Sequence, residues 1–387
     1  MPFSGVDYFQ LDELLSDEER LVRDTFRRFV DEEVLPGIAK HFRAGTFPKE
    51  LPKRLGQMGA LGASLEGYGC PGLGANAYGL IMQELERCDS GVRSFASVQG
   101  SLVMYPIHAY GSDAQKERWL PRMAKGDAIG CFGLTEPDFG SNPSGMRTSA
   151  KQVGDKWVIN GEKRWITSGG LCDVAIVWAR TDEGVRGFLV DRGTPGFSVR
   201  DIEGKFSLRA SVTSELIFQD CAVPFDAMLP NVRGMKGPLG CLNQARFGIA
   251  WGAIGAAMAC YDEALRYTKD RVQFKRPLAG YQLVQLKLVD MLEEITKAQL
   301  LAWRLGRLKE AGKVRAQQVS LAKRNNVRMA LHIARNARDL LGANGVTDEY
   351  QSGRHMCNLE SVFTYEGTDH IHTLIVGEDI TGLAAFE

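Results

Sequence analysis

The sequence lacks an excess of charge of either sign. Lysine and arginine together number 47, and aspartate and glutamate together also number 47. Proteins that bind a polyanion usually carry a basic excess, so nucleic acid is a poor candidate for a partner. The chain also lacks an apolar run of the roughly 18 residues that a membrane helix needs, which argues against a membrane protein.

Paired cysteines and metal-ligand spacing are missing as well. The eight cysteines are scattered without a C-x-x-C pair, and the six histidines form no ligand pattern with them. This predicts buried thiols in a reducing compartment and no metal site. The first 20 residues are acidic and lack a basic segment followed by an apolar one. We therefore predict a bacterial cytoplasmic protein or an already processed mature form.

What remains is ordinary globular composition, with 44% apolar and 24% charged residues in 387. Such a length predicts a large core and two or three structural units. No internal repeat and no low-complexity tract interrupts the chain.

The first third of the chain has a helical pattern. Ser16 precedes an acidic first turn, as an N-cap does, and apolar residues then recur at helical spacing up to Pro36. Those apolar residues are Leu21, Phe26, Phe29, Val30 and Val34. Further helices are predicted near 49–60, 75–87 and 113–124.

Strand patterns fill the middle of the chain, from about 130 to 230. The first predicted strand, 156–159, is closed by an Asn160-Gly161 turn. Further strands are predicted at 173–179, 187–190, 197–199 and 215–218. This is a compact β unit between helical ones.

Long helices return after residue 236. One apolar seam alternates by four and three residues, which indicates a partner helix along its whole length, within or between subunits. Its members are Val284, Leu288, Met291, Ile295, Ala298, Ala302 and Leu305. Gly312 ends that helix, and a second is predicted over 315–341. The predicted class is α+β, with a helical domain (1–128), a β-sandwich or barrel domain (129–236) and a helical bundle (237–387).

Five stretches are candidates for chemistry, the third of which has two parts, although each alone has an ordinary structural explanation. CFGLTEPDFGSN (131–142) suits a flavin edge, a phosphate or any loop, and NGEKRWITSG (160–169) suits a hairpin with a core tryptophan. The stretch 241–252 is followed at 270–285 by a charged helix end, and DLLGANG (339–345) is a glycine turn. The last, TYEGTDHIH (364–372), contains one glutamate among many.

Taken together, in this order and spacing, the five stretches resemble the acyl-CoA dehydrogenase family over nearly the whole chain. The resemblance implies that family's fold, FAD as cofactor, and α,β-dehydrogenation of an acyl-CoA with Glu366 as the base that takes the α-proton. It also implies an electron-transferring flavoprotein as acceptor.

The resemblance also carries site residues over to this sequence. Expected FAD contacts are Phe132, Leu134, Thr135, Ser141, Trp165, Ile166, Thr167, Arg271, Phe274, Gln282, Asp339, Leu340, Gly342, Ala343 and Thr368. Expected substrate contacts are Glu86, Arg93, Ser94, Ser141, Leu239, Asn243, Arg246, Tyr365 and Gly367. The chain departs from the family pattern at Phe139, Asn142, Lys275 and the Asp369-His370 pair.

Two of these groups imply an assembly. In the family, the residues matching Arg271, Phe274 and Gln282 reach the flavin's ADP half across a subunit interface, and the 339–345 loop touches the partner subunit's flavin. A homo-oligomer is therefore expected, as a tetramer built from two dimers.

The stretch ELERCDSGVRSFASVQGSL (84–102) bears on the substrate. By itself it fits an exposed helix with Glu86 and Arg93 as surface charges. It resembles glutaryl-CoA dehydrogenases, however, in which the matching arginine and serine bind the substrate's distal carboxylate and the glutamate orients the arginine. The stretches 204–211, 322–326, 340–350 and 380–387 resemble the same group.

A glutaryl substrate allows a second step. The glutaconyl-CoA product carries a carboxylate vinylogous to the thioester, so carbon dioxide leaves into a dienolate, and protonated Glu366 returns its proton to give crotonyl-CoA. Glu86 and Tyr365 are expected to steer this step. Three alternatives stay open: an enzyme that stops at glutaconyl-CoA, another flavoenzyme of this fold such as a short-chain acyl-CoA dehydrogenase or an oxidase, and a non-catalytic binding protein.

Overall fold

The computed structural model describes residues 3–385. The first third of the chain is mainly helical. Residues 386 and 387, the end of the 380–387 stretch, lie outside the described residues. Ser16 caps the first helix as predicted, because its hydroxyl accepts from the Glu19 N–H while the Glu19 carboxylate accepts from the Ser16 N–H. The elements are α1 (Asp17–Phe29), α2 (Leu35–Ala44), α3 (Leu51–Gln57), β1 (Glu66–Gly67), β2 (Cys70–Pro71), α4 (Ala75–Cys88), α5 (Ser90–Ser97), α6 (Tyr105–Tyr110) and α7 (Asp113–Ala124).

The first helical stretch continues past Pro36, where the sequence pattern predicted its end. A π-helical turn at Val30–Val34 joins α1 to α2, and Pro36 lies in the first turn of α2. A proline is tolerated there because the N–H groups of a first turn have no intrahelical partner. The stretch ends instead at Gly45, whose φ of 70° is left-handed.

The middle of the chain forms a seven-stranded sheet with the order β3-β6-β4-β5-β9-β8, and β7 pairs with β6. β3 lies parallel to β6, with Gly130 opposite Val174, whereas β5 lies antiparallel to both β4 and β9. The predicted β unit is confirmed, and the sequence pattern missed β3 and β4. The strands are β3 (Gly130–Gly133), β4 (Ser149–Val153), β5 (Lys156–Thr167), β6 (Val174–Thr181), β7 (Gly184–Asp191), β8 (Phe197–Asp201) and β9 (Thr213–Pro224).

The predicted turn at Asn160-Gly161 was wrong. β5 runs through both residues, and the register shifts between Ile159 and Gly161 as in a β-bulge. The Asn160 side chain exchanges two hydrogen bonds with Asp220 of β9, at 3.1 and 2.8 Å. Such a bulge uses the same turn-forming residues as a hairpin, so the local sequence did not separate the two.

Helices return in the last third of the chain. The predicted seam of α9 is buried within the subunit, from Leu288 to Leu305, with Val284 packed at its edge. A second apolar row on α9, comprising Leu283, Leu286 and Val289, is exposed. The elements are α8 (Lys236–Asp270), β10 (Val272–Gln273), β11 (Arg276–Pro277), α9 (Gln282–Glu310), α10 (Ala316–Leu340), α11 (Ser352–Thr364) and α12 (Asp369–Thr381).

α4 and α5 lie in the interior, where every residue of both helices is buried. Glycines allow α8 to approach α4 closely. A Cβ at Gly255 would lie 1.9 Å from the Gln83 carbonyl oxygen, and a Cβ at Gly79 would lie 2.4 Å from the Trp251 ring. The exposed-helix interpretation of residues 84–102 is therefore wrong, because a helix packed this closely has no solvent face.

The predicted order of a helical, a β and a second helical region is confirmed. The domain boundaries at 128/129 and 236/237 stay predictions. All eight cysteines are free thiols, of which six are buried and two, Cys70 and Cys357, are half-buried. Between residues 3 and 385, no helix is both long and apolar enough to cross a membrane.

Candidate active site

The candidate site centres on the turn between α11 and α12. Glu366 has a left-handed φ of 53°, which is unusual for a residue with a side chain, and Gly367 follows with a φ of 89°. A Cβ at Gly367 would lie 2.8 Å from His372 Nε2 and 3.2 Å from Arg246 Nη2, so the position has no room for a larger residue. Thr368 then caps α12, and its hydroxyl accepts from the Ile371 N–H at 3.1 Å. The turn is thus fixed from both ends.

Hydrogen bonds fix the backbone of Glu366, whereas one oxygen of its side-chain carboxylate has no hydrogen-bond partner among the described residues. Arg246 Nε donates to the Glu366 carbonyl oxygen at 2.9 Å, and Arg246 Nη1 donates to Asn243 Oδ1 at 3.3 Å. Glu366 Oε2 is shielded from solvent and finds no hydrogen-bond donor among the described residues. Burial raises the pKa of Glu366 to about 7, although the charges of Arg93, Arg246 and Lys323 oppose the shift. A carboxylate with such a pKa suits general base catalysis near neutral pH.

Arg93 of α5 lies beside this turn and is only 1% exposed. Its Nε donates to Glu86 Oε2 at 2.7 Å, and its Nη2 donates to the Tyr365 hydroxyl. Gly252 of α8 makes room for the pair, because a Cβ there would lie 2.0 Å from Glu86 Oε2. Glu86 Oε1 is buried without a hydrogen-bond partner. The structure therefore brings Glu86, Arg93 and Tyr365 together beside Glu366.

Hydroxyl groups that sequence reasoning missed lie on the same side of the site. Ser97 follows Arg93 by one helical turn, and its hydroxyl is buried beside that of Tyr78. The Tyr78 hydroxyl and Ser101 Oγ are 3.1 Å apart. Tyr78 lies close enough to Arg93 and Glu366 that the charge of Arg93 lowers the pKa of its hydroxyl and the charge of Glu366 raises it. Ser94, which was predicted, is also buried. Helical spacing of four residues from Arg93 was the available signal for Ser97.

The first predicted flavin stretch leaves β3 and is fixed by a buried ion pair. Lys163 of β5 donates to Glu136 Oε1 at 2.9 Å and to the Leu134 carbonyl at 3.1 Å. Glu136 also accepts from the N–H groups of Arg147 and Thr148. Neither Lys163 nor Glu136 was predicted as a site residue. Their contacts set the backbone path of the loop.

The first two predicted flavin stretches are adjacent, because the Arg164 N–H donates to the Thr135 carbonyl oxygen at 2.8 Å. Phe132 and Leu134 are buried in the protein core, and Thr135 and Thr167 are half-buried. Ile166 is buried in the core of the β sheet. Trp165, in contrast, has a left-handed φ of 63° and keeps 55% of its surface exposed.

The exposed indole fits the FAD that the resemblance implies. A flat ring system stacked on Trp165 would cover apolar surface that the chain alone leaves open. Thr135 and Thr167 flank this surface with half-buried polar side chains. The arrangement is thus compatible with a flavin ring. No metal is implied, and the described residues contain no cluster of three or more His, Cys, Asp or Glu placed to bind one.

Other predicted contacts lie on the surface, outside the buried cluster around Glu366. Phe274 is 90% exposed on the β10–β11 hairpin, and Arg271 and Gln282 are exposed near it. Lys287 Nζ and Asp339 Oδ2 are 2.5 Å apart, which ties this region to the predicted 339–345 loop. Asp339, Gly342, Ala343, Ser141 and Leu239 are exposed, and Leu340 is half-buried. Among residues 3–385, the polar contacts of the Glu366 turn come from Arg246 and Lys323 and from none of these residues.

Comparison with known proteins gives a family assignment over most of the chain. The profile described as "Acyl-CoA dehydrogenase, N-terminal domain" matches residues 16–127. The "middle domain" profile matches residues 131–221, and the "C-terminal domain" profile matches residues 232–381.

Individual relatives agree with the profiles. A glutaryl-CoA dehydrogenase from Mycobacterium smegmatis, solved in complex with FADH2, superposes with a TM-score of 0.98 at 54% identity and covers 99% of both chains. Butyryl-CoA dehydrogenase from Megasphaera elsdenii has a TM-score of 0.90 at 34% identity, over 95% of this chain and 98% of that one. The human mitochondrial short-chain specific acyl-CoA dehydrogenase is 35% identical over 370 residues, which cover 94% of this chain and 90% of the relative.

Proposed function

This chain belongs to the acyl-CoA dehydrogenase family, and we propose that it oxidises glutaryl-CoA with Glu366 as the base. Its cofactor is FAD, which when bound supplies the acceptor for the substrate's β-hydride. The observation that carries the proposal is Arg93, a buried arginine held between Glu86 and Tyr365 next to Glu366. The identity of 54% to a glutaryl-CoA dehydrogenase supports the same substrate.

A buried arginine selects against substrates that lack a carboxylate. An apolar pocket separates near-isosteres by only about 1–3 kcal/mol, whereas leaving buried polar groups unpaired discriminates far more strongly. Glu86 already accepts one N–H of Arg93, so a substrate carboxylate would complete a charge-assisted pair on the remaining donors. The buried Ser97 hydroxyl, one helical turn from Arg93, offers a further donor. The proposed substrate is therefore a dicarboxylic monothioester.

The proposed proton transfer uses the properties of the Glu366 turn. Burial favours the neutral acid, so the carboxylate gains more from taking a proton than an exposed one would. The Glu366 N–H is expected to donate to the thioester carbonyl oxygen, which lowers the pKa of the α-hydrogen. Arg246 holds the Glu366 carbonyl oxygen and so fixes the peptide backbone that positions both groups.

We further propose that turnover ends with decarboxylation to crotonyl-CoA. Glu86 and Tyr365 contact Arg93, where the leaving carboxylate would bind. Glu366, protonated in the first step, would return that proton to the dienolate. Mass spectrometry of the products of glutaryl-CoA turnover distinguishes crotonyl-CoA from glutaconyl-CoA. Glutaconyl-CoA as the accumulated product would contradict decarboxylation while leaving dehydrogenation in place.

Replacing Arg93 by alanine tests recognition of the distal carboxylate. We expect kcat/KM for glutaryl-CoA to fall by a factor that corresponds to about 2–4 kcal/mol of lost transition-state stabilisation. The loss for butyryl-CoA should be smaller. Arg87→Ala is the matched control. Arg87 lies on α4, the helix before that of Arg93, and is buried in an ion pair with Glu84 of the same helix at 2.7 Å. It is expected to lower Tm without changing the ratio of the two substrates. Equal losses on both substrates for Arg93→Ala would contradict the assignment.

The proposed partners follow from the family. An electron-transferring flavoprotein is the proposed electron acceptor, and a homotetramer of two dimers is the proposed assembly. The exposed Phe274 and the exposed row Leu283, Leu286 and Val289 support an assembly, because they leave apolar surface uncovered. The cytoplasmic location stays a prediction from the sequence.

A further inference from the structure

Lys323 of α10 is a buried lysine directly behind the Glu366 turn. It is 1% exposed, and its ammonium donates to the carbonyl oxygens of Tyr365 at 3.1 Å and Gly367 at 2.9 Å. These are the residues on either side of Glu366. Among residues 3–385, Lys323 has no carboxylate within ion-pair distance, so its two bonds to the turn are its main polar contacts.

The turn needs such a donor because of its backbone shape. A left-handed glutamate followed by a left-handed glycine is disfavoured unless the surrounding contacts fix it. No helix continues through the turn, so the Tyr365 and Gly367 carbonyls have no place in a regular backbone ladder. Lys323 satisfies both carbonyls with one group. Arg246 satisfies the third, that of Glu366 itself.

The surroundings of Lys323 are mixed in charge. Five groups face it, from the Glu366 turn and from α5, α8 and α12: Glu366, Arg93, Arg246, Asp369 and His372. Burial lowers the pKa of Lys323 to about 7, and the Glu366 carboxylate opposes that shift. Burial likewise keeps the pKa of His372 low, at about 3, so His372 contributes no charge. Lys323 is thus a basic group whose charge acts on the proposed catalytic carboxylate.

We propose that Lys323 is a positioning residue for proton transfer, which fixes the Glu366 turn through the two flanking carbonyls and stabilises the ionised carboxylate by its charge. This inference rests on the proposed function of Glu366. It assigns Lys323 no contact with substrate or cofactor.

The test is the pH profile of single-turnover flavin bleaching by glutaryl-CoA in the flavin-loaded Lys323→Met protein. Methionine keeps the apolar stem but removes the donors and the charge. We expect the acidic limb of the profile to move to higher pH by about 1 unit, since a lost positive charge raises the pKa of a carboxylate. The bleaching rate on the alkaline plateau should fall about 10-fold, because the turn is no longer fixed.

Lys205→Met is the matched control. Lys205 also donates to two peptide carbonyls, those of Leu208 and Ser211, at 3.0 and 2.8 Å. We expect a lower Tm in this control and an acidic limb at the wild-type pH. A limb that stays in place in Lys323→Met, whether the rate falls or not, would overturn the proposal, because a merely structural lysine would change stability alone.

Two further readouts keep the result interpretable. Flavin content and the tightness of glutaryl-CoA binding, followed by the flavin difference spectrum, should stay near wild type in Lys323→Met. If the Lys323→Met protein does not retain flavin, the same experiment is done with Lys323→Gln. The acidic limb of its pH profile must then move to higher pH by the same amount. Failure of the proposed function is a separate outcome, since glutaryl-CoA would then not bleach the wild-type protein at all.

Discussion

Glu366 is one of 47 acidic residues, and its chemical role depends on the few residues that contact its turn. Its backbone carbonyl is bound by Arg246, the neighbouring carbonyls by Lys323, and its Oε2 has no donor among residues 3–385. A base needs a free lone pair and a backbone that does not move. Glu366 Oε2 is free, and Arg246 and Lys323 hold the backbone of the turn.

Glu366→Gln tests the base without changing the shape of the site. The amide cannot take a proton from the substrate, so we expect flavin to remain bound and glutaryl-CoA to bind, while the anaerobic bleaching rate falls by about 10²–10⁴-fold. The readout is absorbance near 450 nm in a stopped-flow experiment. Turnover at the wild-type rate would refute the assignment of Glu366.

The pH dependence of the wild-type enzyme follows from the same burial. Glu366 must be ionised to accept a proton, and its pKa is raised to about 7. We therefore expect kcat/KM to fall as the pH drops below about 7, with Lys323 titrating in the same range. The profile is measured with glutaryl-CoA between pH 5 and 9. A fall of kcat/KM centred near pH 4.5, the ordinary pKa of glutamate, would show that the carboxylate is not buried as described.

At the scale of elements, the specificity of the site depends on how closely α8 approaches α4 and α5. Gly252 has no side chain at the point where Glu86 and Arg93 lie, with Glu86 Oε2 only 2.0 Å from where a Cβ would be. The Glu86–Arg93 ion pair, which joins α4 and α5, thus occupies space that Gly252 of α8 leaves open.

Gly252→Ala is expected to displace Glu86 and with it Arg93. We expect Tm to fall and the ratio of kcat/KM for glutaryl-CoA over butyryl-CoA to drop by at least about 10-fold, since a buried overpacked side chain typically costs about 1–3 kcal/mol. Gly37→Ala in α2 is the control, because a Cβ there meets nothing within 4 Å. It should leave the ratio unchanged and raise Tm slightly, as Ala favours helix over Gly. An unchanged ratio in Gly252→Ala would contradict the role of the close approach.

Element prediction succeeded where periodicity was long and failed where tertiary contacts decided. The α9 seam and the order of helical and β regions were predicted correctly, because apolar spacing reports which face is buried. The Asn160-Gly161 bulge depends on Asp220, which lies 60 residues away. Likewise Lys323 and the Lys163–Glu136 pair carry no local sequence signal, since only the folded chain brings them to the site.

On the scale of the whole molecule, the predicted flavin contacts fall into two separate groups. Trp165 lies near the end of β5 and Thr135 in the adjacent loop after β3, whereas Phe274 and Gln282 lie on an exposed surface formed by the β10–β11 hairpin and the start of α9. In the proposed assembly, a second subunit would supply the Phe274 and Gln282 group to a site that contains Trp165 and Thr135. The exposed row on α9 adds apolar surface to the same helix.

Phe274→Ser combined with Leu286→Glu is expected to weaken the assembly. We expect the mass by light scattering to fall below that of four 42.7 kDa chains, and flavin content to fall with it, because the predicted contacts to the partner's flavin are lost. Leu21→Glu is the control, since Leu21 is 68% exposed on α1, away from this surface. A variant that keeps both its mass and its flavin would rule out this surface as the interface.

The central claim is that this member of the acyl-CoA dehydrogenase family acts on glutaryl-CoA, with Arg93 selecting the distal carboxylate. Anaerobic flavin bleaching by glutaryl-CoA and by butyryl-CoA, measured on the same wild-type preparation, tests it most directly. We predict that the second-order rate constant of bleaching, which is the limiting rate divided by the substrate dissociation constant, is at least about 100-fold larger for glutaryl-CoA than for butyryl-CoA. Equal or faster bleaching by butyryl-CoA, the substrate class of its short-chain relatives, would contradict the claim.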